Sequence, residues 1–178
     1  MLMYFITGNR HKYEEAKVIL GEIKMLSVAY PEIQADNLEE VVIYGIDYLK
    51  NKIDRNFFIE DSGLFIKSLR GFPGVFSSYV FKTIGNEGIL KLMGGERHRE
   101  ATFISVVAYY NGKTHIFKGE CKGKIAEKVK GDKGFGYDPI FIPEGSEKTF
   151  GEMETEEKNK YSHRGRAIRK LRKYLESC

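Results

Sequence analysis

Two adjacent carboxylates, Glu60 and Asp61, close the apolar run of "IEDSGL" and are followed by Ser62 and Gly63. A carboxylate at the end of a strand is where α/β proteins place catalytic groups. It can act as a general base or as a ligand for a hard cation. Neighbours along an extended chain point to opposite faces, so one of the two is expected to face a given site. Asp61 suits magnesium, which takes one or two protein carboxylates and fills its other positions with phosphate and water. Glu32 of "YPEIQ" is the candidate second acid. Taken alone, the pair also fits a surface acidic turn, and Glu32 a surface residue.

A second stretch, "TGNRHK" from Thr7 to Lys12, could bind an anion. A strand ends, Gly8 and Asn9 turn the chain, and a helix begins whose free N–H groups and positive dipole end attract negative charge. Lys12 adds a point charge one turn in, and Thr7 and Asn9 add hydrogen-bonding groups. The second glycine and the Lys-Ser/Thr pair of a Walker A loop are missing, and an ordinary capped turn would look the same. In "GFGYDP", Gly134 to Pro139, aromatic faces could stack on a base and Asp138 could accept from ring N–H groups. A structural loop with Phe135 and Tyr137 in the core is the other reading. Last comes "YSHRGRAIRKLRKY", Tyr161 to Tyr174, with six basic residues and a histidine. If Ser162 caps this helix, Ala167, Ile168, Leu171 and Leu175 form its buried stripe. Arg166, Arg169, Lys170, Arg172 and Lys173 then face mostly solvent. His163 and Arg164 lie one turn before Ala167 and Ile168 and point inward, where a cation needs a carboxylate or a ligand.

The elements that must position these groups alternate between strand and helix. Met3–Thr7 reads as a buried strand. From Asn9 a helix follows, with Tyr13, Ala16, Ile19 and Leu20 inward and Lys12, Glu14, Glu15 and Lys17 on the other side. Val28–Ile33 is expected to be extended, Leu38–Lys52 a helix opened by Asn37, and Phe57–Ile59 a short strand. "GFPG" is a turn, and Gly85–Met93 a short helix. Ala101–Tyr110 and Lys113–Phe117 flank Asn111-Gly112, a hairpin signal. Gly119–Glu127 adds a strand and Ile140–Ile142 another, after which a polar link leads to the helix at Ser162. The expected fold is a mixed α/β domain spanning residues 1–178, with two lobes around a cleft that is the default ligand site.

The 178 residues suffice for one well-buried domain. The net charge of +4, from 29 basic and 25 acidic residues, lacks the excess or the basic tail of a dedicated nucleic-acid binder. Cys121 and Cys178 lie far apart and form no CxxC, which speaks for a cytoplasmic protein. "MLMYFITGN" is too short for a signal peptide, and no apolar run approaches the ~20 residues of a membrane span.

In chain order, "TGNRHK", "YPEIQ", "EDSGLFI", "GFPG", "GFGYDPIF" and "EKNKYSHR" resemble the inosine triphosphate pyrophosphatase family, from about Tyr4 to Leu171. Each motif is weak alone; six in register are specific. The resemblance implies an elongated two-lobed α/β fold, commonly a homodimer. It also implies magnesium-dependent hydrolysis of non-standard purine nucleoside triphosphates (ITP, dITP, XTP) between the α and β phosphates. By the same resemblance Thr7, Asn9 and Lys12 hold the triphosphate, within a substrate-binding turn that includes Gly8, Arg10 and His11. Glu32 and Asp61 bind the metal, Asp61 is also the general base, and Ser62 stands beside it. Phe135 stacks on the base, with Gly136, Tyr137 and Asp138 in the same pocket. Lys158 helps neutralise the phosphates, and His163 and Arg164 read the 6-oxo group. Two positions depart from the family pattern. Gly45 stands where a lysine is frequent, with Lys50 or Lys52 as stand-ins, and Tyr137 stands where a tryptophan is frequent. Two other readings remain: a single-stranded nucleic-acid-binding module using the basic helix and the aromatics, or a pyrophosphatase of this fold acting on other modified nucleotides.

Overall fold

The computed structural model describes residues 2–177, so Met1 and Cys178 lie outside the described residues. β1 (Met3–Ile6) leads into α1 (Arg10–Leu20), whose first turn is capped by Asn9: its side chain accepts from the Lys12 N–H at 3.1 Å. Gly21, at φ 78°, ends the helix and turns the chain back into β2 (Ile23–Leu26), parallel to β1. The strand expected at Val28–Ile33 therefore lies earlier. Once Gly21 has closed the helix, the first apolar residues beside β1 complete the ladder, and 28–33 cross the sheet end without regular structure.

α2 (Leu38–Leu49) is capped by Asn37 as expected. β3 (Phe57–Ile66) is longer than its apolar start suggests, because all ten of its residues pair with β5 (Glu100–Tyr110), from Phe57↔Tyr110 to Ile66↔Ala101. β4 (Pro73–Gly74) occupies the expected turn. α3 (Ser77–Leu92) contains the expected Gly85–Met93 helix as its second half, after a break at Gly85. β6 (Thr114–Ile125) is one continuous strand, so the segment from Gly119 extends the hairpin rather than adding to it. β7 (Phe141–Pro143) follows. α4 (Thr155–Tyr161) then stands where a polar link was expected, and α5 (His163–Glu176) begins after Ser162, whose side chain accepts from Gly165 N–H.

The described residues form one seven-stranded mixed sheet in the order β2-β1-β3-β5-β6-β7, with β4 on β3. Its two faces are read directly from β3. Phe58 packs with Phe5 and Val107 beneath Ala167, Ile168 and Leu171 of α5, while Phe57 and Ile59 pack beneath Val42, Ile46 and Leu49 of α2. A third cluster joins Ile89 of α3 to Phe103, Phe141 and Phe150. Each fully buried side chain of this size contributes about 1.5–3 kcal/mol.

β3 is interrupted on one side only. β1 pairs with it at Phe57 and Phe58, and β4 at Leu64 and Phe65. Between these partners, residues 59–63 have a neighbour only in β5. That gap in the ladder leaves a stretch of central strand open from its edge.

The first turn of α5 lies directly on β6. A Cβ at Gly119 would collide with the His163 carbonyl oxygen and the Ala167 nitrogen. Overpacking of this kind costs about 1–3 kcal/mol. Gly119→Ala should lower unfolding stability in urea by about that amount, whereas Lys122→Ala on the same strand should stay within about 0.5 kcal/mol of the parent. Equal stability of Gly119→Ala and the parent would show that α5 does not rest on this strand.

Candidate active site

The gap in β3 opens into a cavity of about 650 Å³. The "TGN" turn at the end of β1 walls it on one side, the irregular crossing on another, and the start of α3 on a third. The Phe135 loop and the first residues of α5 complete it. A hollow of about 820 Å³ between the ends of α1 and α5 gathers neither paired acids nor a buried cation.

Both Glu60 and Asp61 reach the cavity, against the expectation that one would. Alternation still holds: Glu60 lies on the α5 face and Asp61 on the α2 face. The strand is open at its edge, so one cavity wraps around it and meets both side chains. They differ in charge state. Glu60 is fully buried, which alone would raise its pKa. Arg164, then Lys12, and a 2.6 Å hydrogen bond from Ser105 reverse this and hold it well below the usual carboxylate range. Asp61 is raised to about 6, first by burial and then by Glu60 and Glu32, with Lys12 opposing. Its Oδ1 accepts from Ser62 N–H at 2.9 Å. Glu32 lines the same cavity and is exposed.

Thr7, Gly8, Asn9 and Lys12 all line the cavity. Thr7 Oγ1 accepts from Asn9 N–H at 3.0 Å and so fixes the turn. Lys12 Nζ makes a 2.9 Å ion pair with Glu60. The other two residues of the turn are placed differently. Arg10 is exposed and pairs with Glu14 one turn along α1, because its position on the helix faces away from the sheet. His11 stacks on Phe135 with ring centroids 5.4 Å apart. Neither lines the cavity.

His163 and Arg164 point inward as the stripe of α5 requires, and each is 2% exposed. The partner that Arg164 needs is a residue the sequence pattern put on the polar side of α1. Glu15 is 3% exposed, and its two oxygens accept from Arg164 Nη1 at 2.6 Å and from Lys158 Nζ. Arg164 Nη2 donates to Ser62 Oγ at 3.0 Å, and its Nε lies 3.2 Å from Glu60 without hydrogen-bond alignment. One N–H remains on each terminal nitrogen. Burial pushes Glu15 up, but Arg164 and Lys158 together bring its pKa below the ordinary value. His163 stacks flat on Phe103 at 4.4 Å. Burial, reinforced by Arg164, keeps its ring neutral, and its Nδ1 is buried with no hydrogen-bond partner.

Lys158 is not on the cavity wall. It is 2% exposed and sits behind the wall, bonded to Glu15 and, at 2.7 Å, to Asp138. The expected phosphate contact gives way to a structural one: helix α4 points this side chain inward, where Glu15 of α1 and Asp138 of the Phe135 loop hold it. Asp138 Oδ2 also accepts from Phe135 N–H at 2.9 Å, so the lysine sets the loop that carries Phe135. Gly134 and Gly136, at φ 69° and 59°, let that loop turn back. Phe135 lines the cavity with Gly136, Tyr137 and Asp138, and Lys158 and Arg164 lie 5.0 and 5.3 Å from its ring. Tyr137 is buried, and its hydroxyl donates to Ser77 O at 2.7 Å.

Neither stand-in for the lysine missing at Gly45 reaches the site. Lys50 pairs with Asp47 on the outside of α2, and Lys52 stacks on Tyr48. Sequence reasoning missed Glu15, Tyr30, Phe103 and Lys82, the last three of which line the cavity. The basic outer face of α5 is engaged locally. Arg166 and Lys170 donate to β6 carbonyls and Arg172 pairs with Glu176.

A family model described as the Ham1 family matches residues 3–174. The chain is 56% identical to a dITP/XTP pyrophosphatase of Thermococcus kodakarensis over 98% of its length and 97% of the relative's. It is 50% identical to one from Methanopyrus kandleri over 99% and 97%. Among solved structures, the Ham1 protein of Staphylococcus aureus superposes with a TM-score of 0.85 at 29% identity, over 99% of both chains. A HAM1 protein from Coxiella burnetii does so at 0.85 and 28%, over the whole of each.

Two substitutions should move stability in opposite directions. Glu15→Gln leaves Arg164 and Lys158 short of a buried counter-charge, a loss of about 3–5 kcal/mol. Asp61→Asn removes a buried carboxylate whose folded pKa, about 6, exceeds its unfolded value of 3.8. Above pH 6 the ionised group costs stability, on the order of 2–3 kcal/mol; below pH 4 it is protonated in both states and costs nothing. Asp61→Asn should therefore be the more stable protein at pH 7 in a chelator, with its advantage fading between pH 6 and 4. Urea unfolding across that range measures both effects.

Proposed function

The chain belongs to the Ham1 family, and from that premise we infer that it hydrolyses non-standard purine nucleoside triphosphates to the monophosphate and pyrophosphate. The names of its archaeal relatives support the substrate class. The observation that carries the reading to this chain's own residues is the buried, unpartnered Nδ1 of His163. The ring lines a cavity with an aromatic face at one place and a helix N-terminus at another. A buried polar atom left without a partner is costly, and its retention beside that cavity supports a ligand-binding role for this ring.

The parts divide the work. The turn from Thr7 to Lys12 and the N-terminus of α1 take the phosphates. A nucleoside triphosphate carries about four negative charges, and its hydrolysis depends mainly on positioning and charge neutralisation. Glu32 and Asp61 fit Mg²⁺: both donors are oxygens, they share one cavity, and their mutual repulsion helps to raise Asp61. Held there, the ion would neutralise phosphate charge. Asp61 would also be placed to accept a proton from the attacking water. Phe135 offers a stacking face to the base. A free N–H of Arg164 donates to a 6-oxo group, and the neutral ring of His163 beside it offers a second donor through one of its ring nitrogens. ATP presents an amino group there, so donor meets donor.

The protein acts as a homodimer in the cytoplasm, where its substrates form. The dimer is supported by apolar side chains that α3 and its cap leave in solvent, Phe76 at 46% and Tyr79 at 70% exposure, with Ile84 nearby.

Incubation with a panel of nucleoside triphosphates and Mg²⁺, with products separated by chromatography, tests the reading. ITP, dITP and XTP should give monophosphate and pyrophosphate. ATP should have a kcat/KM at least about a hundredfold lower than ITP, set below the ~10⁴ that a mismatched hydrogen-bonding site can reach. Asp61→Asn should lose at least about a hundredfold in turnover. Release of orthophosphate, or equal use of ATP and ITP, would overturn the assignment.

A further inference from the structure

Phe135, the ring offered to a base, takes its position from its backbone more than from packing. It is half-buried and belongs to none of the three apolar clusters of the described residues. It stands between Gly134 and Gly136, whose φ values of 69° and 59° are open to glycine and leave the chain free on both sides. Asp138 fixes the first side by accepting from the Phe135 N–H. The second side is held from α3. Asn86 Nδ2 donates to the Gly136 carbonyl oxygen at 3.1 Å, and among the described residues that oxygen has no other donor.

A break in its helix aims Asn86 at the loop. Gly85 adopts φ 61° and ψ −165°, a conformation open almost only to glycine. A Cβ on Gly85 would meet nothing within 4 Å, so backbone conformation and not crowding calls for glycine. The break separates two jobs of α3. Residues 77–84 line the cavity through Ser77, Ser78, Phe81 and Lys82, while the half after Gly85 sends Ile89 into the core. Asn86 follows the break directly and ties the core half to the loop.

The amide makes this bond at a cost. Its Oδ1 is buried with no hydrogen-bond partner, and such an atom is unfavourable away from water. An apolar side chain would avoid that, so what asparagine adds at position 86 is the donor to Gly136. Tyr137, the next residue of the loop, is gripped by the same helix. Its hydroxyl donates to Ser77 O at 2.7 Å, and Phe81 packs edge-on against its ring at 5.3 Å. The loop is clamped to α3 at two successive residues, immediately after Phe135.

We propose that Asn86 is a positioning residue for the nucleobase: by holding the Gly136 carbonyl it sets the direction in which Phe135 presents its ring. It acts through Phe135 and is not itself on the cavity wall. The effect on substrate rests on the nucleotide reading above; the contact does not.

Two measurements keep these apart. A neutral hydrogen bond is worth a factor of roughly two to ten. Asn86→Ala should raise the Kd of inosine monophosphate, read by titration calorimetry, about three- to tenfold. The KM for ITP should rise with it and kcat stay within about twofold, because the acids and the anion end are untouched. In a Phe135→Ala background, where no ring remains to be aimed, Asn86→Ala should change the Kd by less than about twofold. Independently of any nucleotide, amide exchange at Phe135 and Asp138, followed by NMR, should quicken about threefold or more in Asn86→Ala. Gly85→Ala, which strains the break, should reproduce both effects and add nothing when Asn86 is alanine. Unchanged exchange overturns the contact. Faster exchange with an unchanged Kd, an equal change of Kd in the Phe135→Ala background, or a fall in kcat in place of the rise in KM overturns the positioning role. If the parent neither hydrolyses ITP nor binds inosine monophosphate, the nucleotide reading fails, and exchange in the two variants still decides the contact.

Discussion

Glu15 and Glu60 must hold three cations inside the protein, and the placement of almost every site residue follows from how they do so. Glu15 binds Arg164 and Lys158; Glu60 binds Lys12 and faces Arg164. These carboxylates and cations come from α1, β3, α4 and α5. A buried ion costs several kcal/mol unless its partner is well placed, so the four elements cannot shift relative to one another without exposing a large penalty. Asp138 extends the same constraint to the Phe135 loop through Lys158. Folding the chain and aligning the site are, to that extent, the same event.

The second constraint is topological. A central strand normally buries its backbone between two neighbours, and β3 does so at both ends but not in the middle. The chain leaves β1 for α1 while β3 continues, and β4 rejoins β3 only at Leu64. Between them the sheet has a notch lined on one side by acids and at one end by a helix N-terminus. Switch points of this kind are where open α/β sheets bind ligands. Here the notch also lets residues from opposite faces of one strand enter a single cavity, with one acid kept ionised by cations and its neighbour raised toward neutrality by burial.

Much of this could be read from sequence where the signal was local. The caps at Asn9, Asn37 and Ser162, the Asn111-Gly112 hairpin and the inward turn of His163 and Arg164 all depend on residues within a few positions of one another. Glu15 could not be read this way. On the helical pattern of α1 it belongs with Glu14 and Lys17, and its burial makes sense only when Arg164 and Lys158 arrive from the far end of the chain. Lys158 was misplaced for the same reason, since a lysine in a polar segment gives no hint that two carboxylates lie beneath it. The acid pair at β3 was legible as chemistry, but the sharing of one cavity was not, because a gap in strand pairing leaves no mark on the strand that has it. Asn86 and Gly136 meet across fifty positions of chain, and neither residue type announces a partner.

The charge balance in the network bears on how the site selects its ligand. Because the buried cations are largely matched by Glu15, Glu60 and Asp138, they contribute little net attraction for a triphosphate. What the structure leaves unmatched for an anion is the helix N-terminus beside the turn from Thr7 to Asn9. The interior charges instead fix geometry: Arg164 is oriented by three protein groups before any base arrives, and His163 is kept neutral by burial and by that same arginine. The Arg164 guanidinium can only donate, so held against Glu15, Ser62 and Glu60 it suits an oxo group better than an amino group. A helix N-terminus carries nothing that tells one triphosphate from another, so any discrimination between bases falls to the end where the protein has already fixed its donors.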